Sequence, residues 1–165
     1  MSGMLSAELQ DSIDSLRIKD VYIDNINANV FDRSQDLEQL KHNIQLKFGL
    51  HSFEIKDDGE HKLVCFKFDA GVRWVADEDS TDEENEALDR KKILAHIESD
   101  LIACYSMKKD LSSDSLRAFG EKNSGLHVWP YWRELLSSSC ERLRLPKIML
   151  PITQFQVKQE EPKSD

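Results

Sequence analysis

The sequence has no long apolar run and no recognisable targeting segment. No stretch approaches the roughly 18 consecutive apolar residues that a membrane-spanning helix needs. Residues 1–10 carry neither the basic cluster nor the apolar core of a signal peptide. We therefore expect a cytoplasmic protein that does not span a membrane.

Cysteine is scarce. The chain has three cysteines, an odd number, and Cys65, Cys104 and Cys140 lie far apart in apolar patterns. A free cysteine behaves as a small core hydrophobe, and disulfides are rare in reducing compartments. The sequence therefore predicts three reduced, buried thiols.

Basic residues are outnumbered by acidic ones. The chain has 22 Lys and Arg against 31 Asp and Glu, which gives a net charge of −9. Contacts to nucleic-acid phosphates need a basic face, and an anionic membrane surface also attracts basic segments. The composition argues against both partners, and a length of 165 residues fits one domain with one core.

The common catalytic and metal-binding patterns are missing. The histidines form no His-x-x-x-His pair, and the cysteines form no Cys-x-x-Cys pair. There is no glycine-rich phosphate loop and no Gly-x-Ser-x-Gly turn. Paired acids such as Asp20 and Asp24 could perform acid–base chemistry, but a solvated strand face is the simpler interpretation. We expect no enzyme activity, no metal site and no cofactor.

Four segments alternate between apolar and polar residues as β-strands do. We predict strands over 16–31, 43–56, 61–76 and 88–107. The first strand alternates imperfectly, which predicts either a bulge or a strand that uses both faces. Four sequential strands indicate an antiparallel meander, with a crossover loop over 32–42 and a solvated acidic loop over 77–86.

The helical signals lie at the two ends of the chain. Residues 1–15 form a weakly helical N-terminal arm, and a short capped helix is predicted within 108–124. A main helix begins with Pro130 at its first position, because proline suits a helix start, and it ends before Pro146. An extended strap follows to Ile152, and then a polar tail over 153–165 that we expect to be disordered beyond about Val157.

Two motifs resemble one family. They are Trp129-Pro130-Tyr131-Trp132-Arg133-Glu134 and Leu145-Pro146-Lys147-Ile148-Met149-Leu150-Pro151-Ile152. The pattern resembles the SecB family of protein-export chaperones, whose main helix starts with aromatic-Pro-Tyr-x-Arg-Glu and is followed by a Pro-x-Leu-x-Leu-x-Pro-like strap. The resemblance covers residues 16–152. It implies an α+β fold, with a four-stranded antiparallel sheet, a long crossover after strand 1, and then a short and a long helix packed on one face.

The resemblance also implies a function. SecB-like chaperones are ATP-independent holdases that bind unfolded or non-native polypeptide in an apolar groove, between the crossover loop and the main helix. By position, we expect Phe31, Leu37 and Leu40 on the loop wall. Trp132 and Leu136 are expected on the helix wall, although Trp132 could instead lie in an oligomer interface.

Two kinds of partner follow from the same resemblance. Lys19-Asp20-Val21-Tyr22-Ile23-Asp24 is similar to the acidic first strand with which SecB-like chaperones dock the translocase ATPase SecA. The alternative is an acidic strand edge that deters aggregation. The family also implies a homotetramer, a dimer of dimers with the main helices at the interface. An exposed apolar stripe of Trp132, Leu135 and Leu143 would suit that burial.

The sequence departs from the export chaperones in ways that leave the client open. It has an acidic loop over 77–86, no C-terminal helix after the strap, and Trp132 where the family has a small residue. These departures resemble the diverged SecB-like chaperones of toxin–antitoxin–chaperone systems. The client is therefore either unfolded preprotein or one antitoxin, and the alternative function is a dimerisation or adaptor module without holdase activity.

Overall fold

The computed structural model describes residues 6–34, 36–39, 42–76 and 93–152. The elements, in chain order, are α1 (Ala7–Ser15), β1 (Leu16–Val30), β2 (His42–Asp57), β3 (Lys62–Ala76), β4 (Ile93–Met107), α2 (Ser113–Phe119), a π-helical turn (Gly120–Ser124) and α3 (Gly125–Leu143). The acidic loop predicted over 77–86, the first residues of the predicted fourth strand, and the tail over 153–165 lie outside the described residues.

The four strands form one antiparallel sheet with the order β1-β4-β3-β2. The strands β2, β3 and β4 form a meander, but β1 pairs with β4 and not with β2. The crossover after β1 therefore carries the chain from one edge of the sheet to the other. The predicted fold class and the long crossover are confirmed. The prediction of one continuous meander is wrong, because alternation along a strand does not specify its neighbour.

Two β-bulges explain the imperfect alternation of β1. The register with β4 shifts at Lys19 and at Asp24, which have no partner opposite them. Each extra residue exchanges the faces of the side chains that follow it. As a result, Ile18, Ile23 and Ile26 pair with β4 residues of one face although they do not alternate in sequence.

The core lies between one face of the sheet and the helices. The alternation of β3 and β4 predicts this face correctly, and its buried members are Val64, Phe66, Phe68, Ala70, Val72 and Trp74 on β3 and Ala95, Ile97, Ser99, Leu101, Ala103 and Tyr105 on β4. The helix α3 covers this face with Val128, Trp129, Trp132, Leu135, Leu136 and Cys140. We call this side of the sheet the inner face and the opposite side the outer face.

The long helix begins earlier than the proline pattern predicts. It runs from Gly125 and continues α2 through the π-helical turn, so Pro130 lies inside it. The proline ring has no N–H for the carbonyl of Leu126. Both residues are exposed, so water can bind that carbonyl. The C-terminal end is a left-handed cap at Arg144, with φ of 58°, before Pro146 stops the helix.

Gly120 lies where the helical layer packs tightly against the sheet. A β-carbon at this position would be 2.7 Å from Leu50 Cδ2 and 2.8 Å from Phe66 Cδ1. Carbon atoms do not approach each other that closely without displacement, so glycine sets the distance between the π-helical turn and the strands β2 and β3.

Gly120→Ala is expected to lower the free energy of unfolding by about 1–3 kcal/mol, the usual cost of overpacking a core. Gly49→Ala is the matched control, because no atom lies within 4 Å of the β-carbon it would add. Urea denaturation followed by tryptophan fluorescence measures both variants. Equal stabilities would contradict the close packing at Gly120.

The cysteines do not all stay free. Cys65 and Cys104 stand directly opposite each other on β3 and β4, with 4.2 Å between their Cα atoms, and they form a disulfide. Cys140 is a buried free thiol, and burial raises its pKa. The prediction of three reduced thiols is therefore wrong for two of them. The pairing depends on strand register, which the 39-residue separation in sequence does not reveal.

Candidate functional site

The structure separates the residues that were expected on the loop wall of a groove. Phe31 is exposed, and its ring lies 5.4 Å from the ring of His96 on the outer face of the sheet. Leu37 is buried and belongs to the core on the other side. Leu40 lies outside the described residues. Phe31 and Leu37 therefore do not form one continuous wall.

The two residues expected on the helix wall belong to the core. Trp132 and Leu136 are each 1% exposed. The helical spacing correctly places them on one face of α3, but that face is turned to the sheet. They offer no surface to a ligand in this structure, and the stripe that continues with Leu135 and Leu143 is likewise buried or half-buried. The sequence alone does not show which side of an apolar stripe is covered.

An uncovered apolar surface lies instead on β2, at the edge of the sheet. We call it the β2 band, and its inner-face members are Ile44, Leu46, Phe48, Leu50, Phe53 and Ile55. Ile44, Leu46 and Ile55 are 44%, 51% and 51% exposed, and the other three are half-buried. A bulge after Leu50 keeps Phe53 and Ile55 on the inner face. The band extends the core outward, because its partners on β3 are buried.

The backbone of β2 adds to this surface. In the described part of the chain, β2 pairs only with β3, so half of its N–H and C=O groups point away from the sheet along 16 residues. Such an edge is a template for an added strand. The other edge strand, β1, is interrupted by bulges at Lys19 and Asp24, and bulges and charges protect an edge from pairing. Of the two edges, β2 is therefore better suited to bind an extended polypeptide.

The predicted extended strap follows α3, and the structure shows that it returns along the helix. Its first residue, Leu145, donates its N–H to the Cys140 carbonyl. Further on, Arg133 donates to the Leu150 carbonyl at 3.1 Å, and the indole of Trp129 donates to the Pro151 carbonyl at 2.9 Å. Leu145 and Leu150 are buried. The strap is therefore a fixed part of the inner layer, and it ends beside Trp129.

Asp20 and Asp24 lie at the outer face of the sheet. Asp20 stands opposite Cys104, and Asp24 lines an open concavity of about 370 Å³ together with Tyr22 and Lys67. Both carboxylates are exposed. They are available to a basic partner, on the opposite side of the sheet from the β2 band.

The rest of the outer face carries ion pairs. Glu98 lies 3.7 Å from the ammonium of Lys47 and 3.4 Å from the guanidinium of Arg73, and Lys67 pairs with Asp100 at 3.4 Å. Pairs this exposed contribute little to stability, about 0–1 kcal/mol each. Acidic and basic side chains are paired here, so this part of the outer face carries no patch of a single charge sign that could bind an oppositely charged partner.

One polar pair connects α3 to the sheet from within the core. The Tyr105 hydroxyl lies 2.7 Å from Nδ1 of His127. Burial raises the pKa of Tyr105 and lowers the pKa of His127. Both groups are therefore neutral near pH 7, and the hydroxyl and the ring nitrogen share one hydrogen bond whose donor depends on the tautomer of His127. The hydrogen bond between Tyr105 and His127 holds the start of α3 against β4, and we interpret its role as structural.

The described ranges contain no group of three or more His, Cys, Asp or Glu that could hold a metal ion. None of the described helices combines the length and the apolarity that crossing a bilayer requires. Among the described residues, the β2 band with its free strand edge is a surface suited to a polypeptide ligand.

The fold is similar to that of a SecB-like chaperone from Mycobacterium tuberculosis, solved in complex with a ChAD peptide from the HigA1 antitoxin. The TM-score is 0.61, the alignment covers 89% of this chain and 94% of that chain, and 16% of the residues are identical. At this identity the likeness shows the fold. The protein therefore has the fold of SecB-like chaperones, as the two motifs predict.

The remaining comparisons, with protein families, curated sequences and a second solved structure, do not identify a further relative. No protein-family model matches the sequence, and no curated protein matches it significantly. A protein of unknown function from Streptococcus agalactiae aligns over 82% of this chain and 96% of its own, with 13% identity. Its TM-score of 0.32 is too low to establish a shared fold.

Proposed function

We propose that this protein is an ATP-independent chaperone that binds unfolded or non-native polypeptide and prevents its aggregation. The observation that carries the proposal is the β2 band beside a free strand edge, on the fold of a SecB-like chaperone. A row of exposed apolar side chains along a free strand edge is typical of a polypeptide-binding site. The proposal involves binding only, with no covalent chemistry and no cofactor.

The mode of binding follows from the geometry of an edge strand. An extended client can add to β2 through main-chain hydrogen bonds, which do not depend on the client's side chains. Alternate side chains of the client then face the β2 band, where apolar residues such as Leu46 and Ile55 favour apolar partners. Affinity would come from the backbone together with apolar burial, so that many sequences could bind.

Two classes of client are consistent with this mode. The chaperone of similar fold is bound to a peptide of an antitoxin, which favours a single antitoxin as the client here. Unfolded preproteins are the other class, and in that case SecA would dock at Asp20 and Asp24. Asp20→Ala with Asp24→Ala separates the two. SecA binding that is lost in this variant would favour export, whereas no binding by the wild type would remove the export role.

The homotetramer implied by the family is also a proposal. Because the apolar stripe of α3 is turned to the core, an interface between main helices would use the outward face, where Arg133, Glu134 and Glu141 are exposed. Such a polar interface would be maintained by ion pairs and would weaken in salt. Light scattering at low and high salt gives the mass of the assembly directly.

The test of the function is aggregation suppression without ATP. A chemically unfolded model client is diluted into buffer with and without the purified protein, and turbidity is followed. We expect suppression near one oligomer per client. A well-folded protein that suppresses nothing and binds no unfolded client would favour the alternative, an adaptor or dimerisation module.

The location of the site has its own prediction. Leu46→Glu is expected to weaken client binding at least about tenfold, because one buried leucine contributes about 1.5–3 kcal/mol and a charge resists burial. Ile26→Glu is the matched control, with a side chain that is 52% exposed on the inner face at the opposite edge. Fluorescence anisotropy of a labelled, permanently unfolded client measures both affinities. Equal losses would contradict a site on β2.

A further inference from the structure

The direction of the strap indicates where the chain goes next. Between Leu145 and Pro151 it returns along α3, from Cys140 through Arg133 to Trp129. The strap thus runs antiparallel to the helix, toward its N-terminal end. If residue 153 and its successors keep this direction, they pass from Trp129 toward Gly120.

That path follows the second half of the β2 band. The ring of Trp129 packs edge-on against Phe48, with 5.0 Å between the ring centroids. Gly120, farther along the same path, touches Leu50. Moving from Trp129 to Gly120 along the helical layer therefore corresponds to moving from Phe48 to Leu50 along β2. The strap and β2 run in the same direction at this point.

The surface ahead of the strap is apolar and uncovered. Leu50 and Phe53 are half-buried, and Ile55 is 51% exposed. Leu50, Phe53 and Ile55 follow Phe48 along β2, on the side toward which the strap runs. An extended segment entering from Pro151 would cover them.

The residues that follow the strap have the pattern of such a segment. Thr153-Gln154-Phe155-Gln156-Val157 alternates, with Phe155 and Val157 on one side and the two glutamines on the other. The lengths also agree. Six residues from Pro151 to Val157 span about 20 Å in a strand, and the seven steps from Phe48 to Ile55, one of them taken up by a bulge, span about the same.

We propose that residues 153–157 dock along the outer edge of β2, with Phe155 and Val157 covering Leu50, Phe53 and Ile55. The segment would act as an internal occupant of the chaperone surface. The docking stands without the proposed function. Its consequence, competition between the tail and a client for the β2 band, rests on that function.

Paramagnetic relaxation in the full chain tests the docking. Lys158→Cys provides a labelling site, because Cys65 and Cys104 are paired and Cys140 is buried. With a nitroxide at residue 158, the amide signals of residues 53–57 should broaden, and those of residues 18–26 on the opposite edge should not. Absence of broadening at 53–57 would overturn the proposal.

Two further variants show whether the apolar residues carry the contact. Phe155→Ser with Val157→Ser should abolish the broadening, whereas Gln154→Ser with Gln156→Ser should keep it. Broadening that survives the first pair would overturn the assignment of those side chains. A mixture of nitroxide-labelled chains with isotope-labelled, nitroxide-free chains identifies the source. Broadening in the mixture would assign the surface to the tail of a second copy and overturn docking within one chain.

Competition is measured separately with an unfolded client. Phe155→Ser with Val157→Ser should bind the client about tenfold more tightly if the tail occupies the site most of the time. Unchanged affinity would overturn competition. If relaxation shows docking but the protein binds no client, the tail contact stands and the chaperone function is refuted. Failure of the docking proposal and failure of the proposed function therefore give different results.

Discussion

Trp132→Ala is expected to lower the free energy of unfolding by about 3–5 kcal/mol, the range for truncating a large buried aromatic residue. The side chain is 1% exposed and lies in the middle of the α3 face that covers the sheet. Domains of this size are stable by only about 5–15 kcal/mol, so the variant would be strongly destabilised or unfolded at 37 °C. Thermal and urea denaturation followed by circular dichroism measure the loss.

The neighbouring residue provides the control. Tyr131 is 46% exposed on the other side of the same helix turn. Tyr131→Ala should change stability by less than about 0.5 kcal/mol, as surface substitutions usually do. If Trp132→Ala were as mild as Tyr131→Ala while client binding fell, Trp132 would be a groove residue, as its position in the sequence led us to expect, and the placement of α3 on the sheet would be wrong.

Reduction of the Cys65–Cys104 disulfide is expected to cost about 2–4 kcal/mol of stability. The bond closes a loop of 39 residues, so its loss returns conformational entropy to the unfolded chain. The wild type should therefore melt several degrees lower in the presence of a thiol reductant. Differential scanning calorimetry with and without the reductant measures the shift.

The control for the loss of stability on reduction is a variant in which both cysteines of the disulfide are replaced by serine. Cys65→Ser with Cys104→Ser should melt at one temperature, close to that of the reduced wild type, whether or not the reductant is present. Cys140 stays in this variant, so any remaining response would report on that thiol. A wild type that is insensitive to reductant would contradict the disulfide and favour the three free thiols that the sequence suggests.

The strands of the fold were predictable because their alternation is local information. On β3 and β4, apolar residues at every second position predict the buried face correctly, from Val64 to Trp74 and from Ala95 to Tyr105. The neighbour of β1 was not predictable in this way. Its pairing with β4 depends on the sheet order, and no spacing along β1 itself carries that information.

The candidate site was less predictable than the fold, for a physical reason. The helical spacing of Trp132 and Leu136 shows that they share a face, but not whether that face meets the sheet or a ligand. On β2 the error was the reverse, because residues that pattern as a core-facing strand are exposed. The alternation of Ile44 and Leu46 was recognised as a one-sided strand, yet their exposure follows from the edge position of β2, which only the sheet order reveals. The Cys65–Cys104 pair depends on register in the same way.

Hydrogen exchange of the protein with and without a bound unfolded client tests the central claim most directly. If non-native polypeptide adds to the free edge of the sheet, client binding should slow exchange in β2, over residues 43–56. The edge of β1, over residues 17–29, should exchange at an unchanged rate. Protection confined to β1 or to the outward face of α3, with none in β2, would contradict the account.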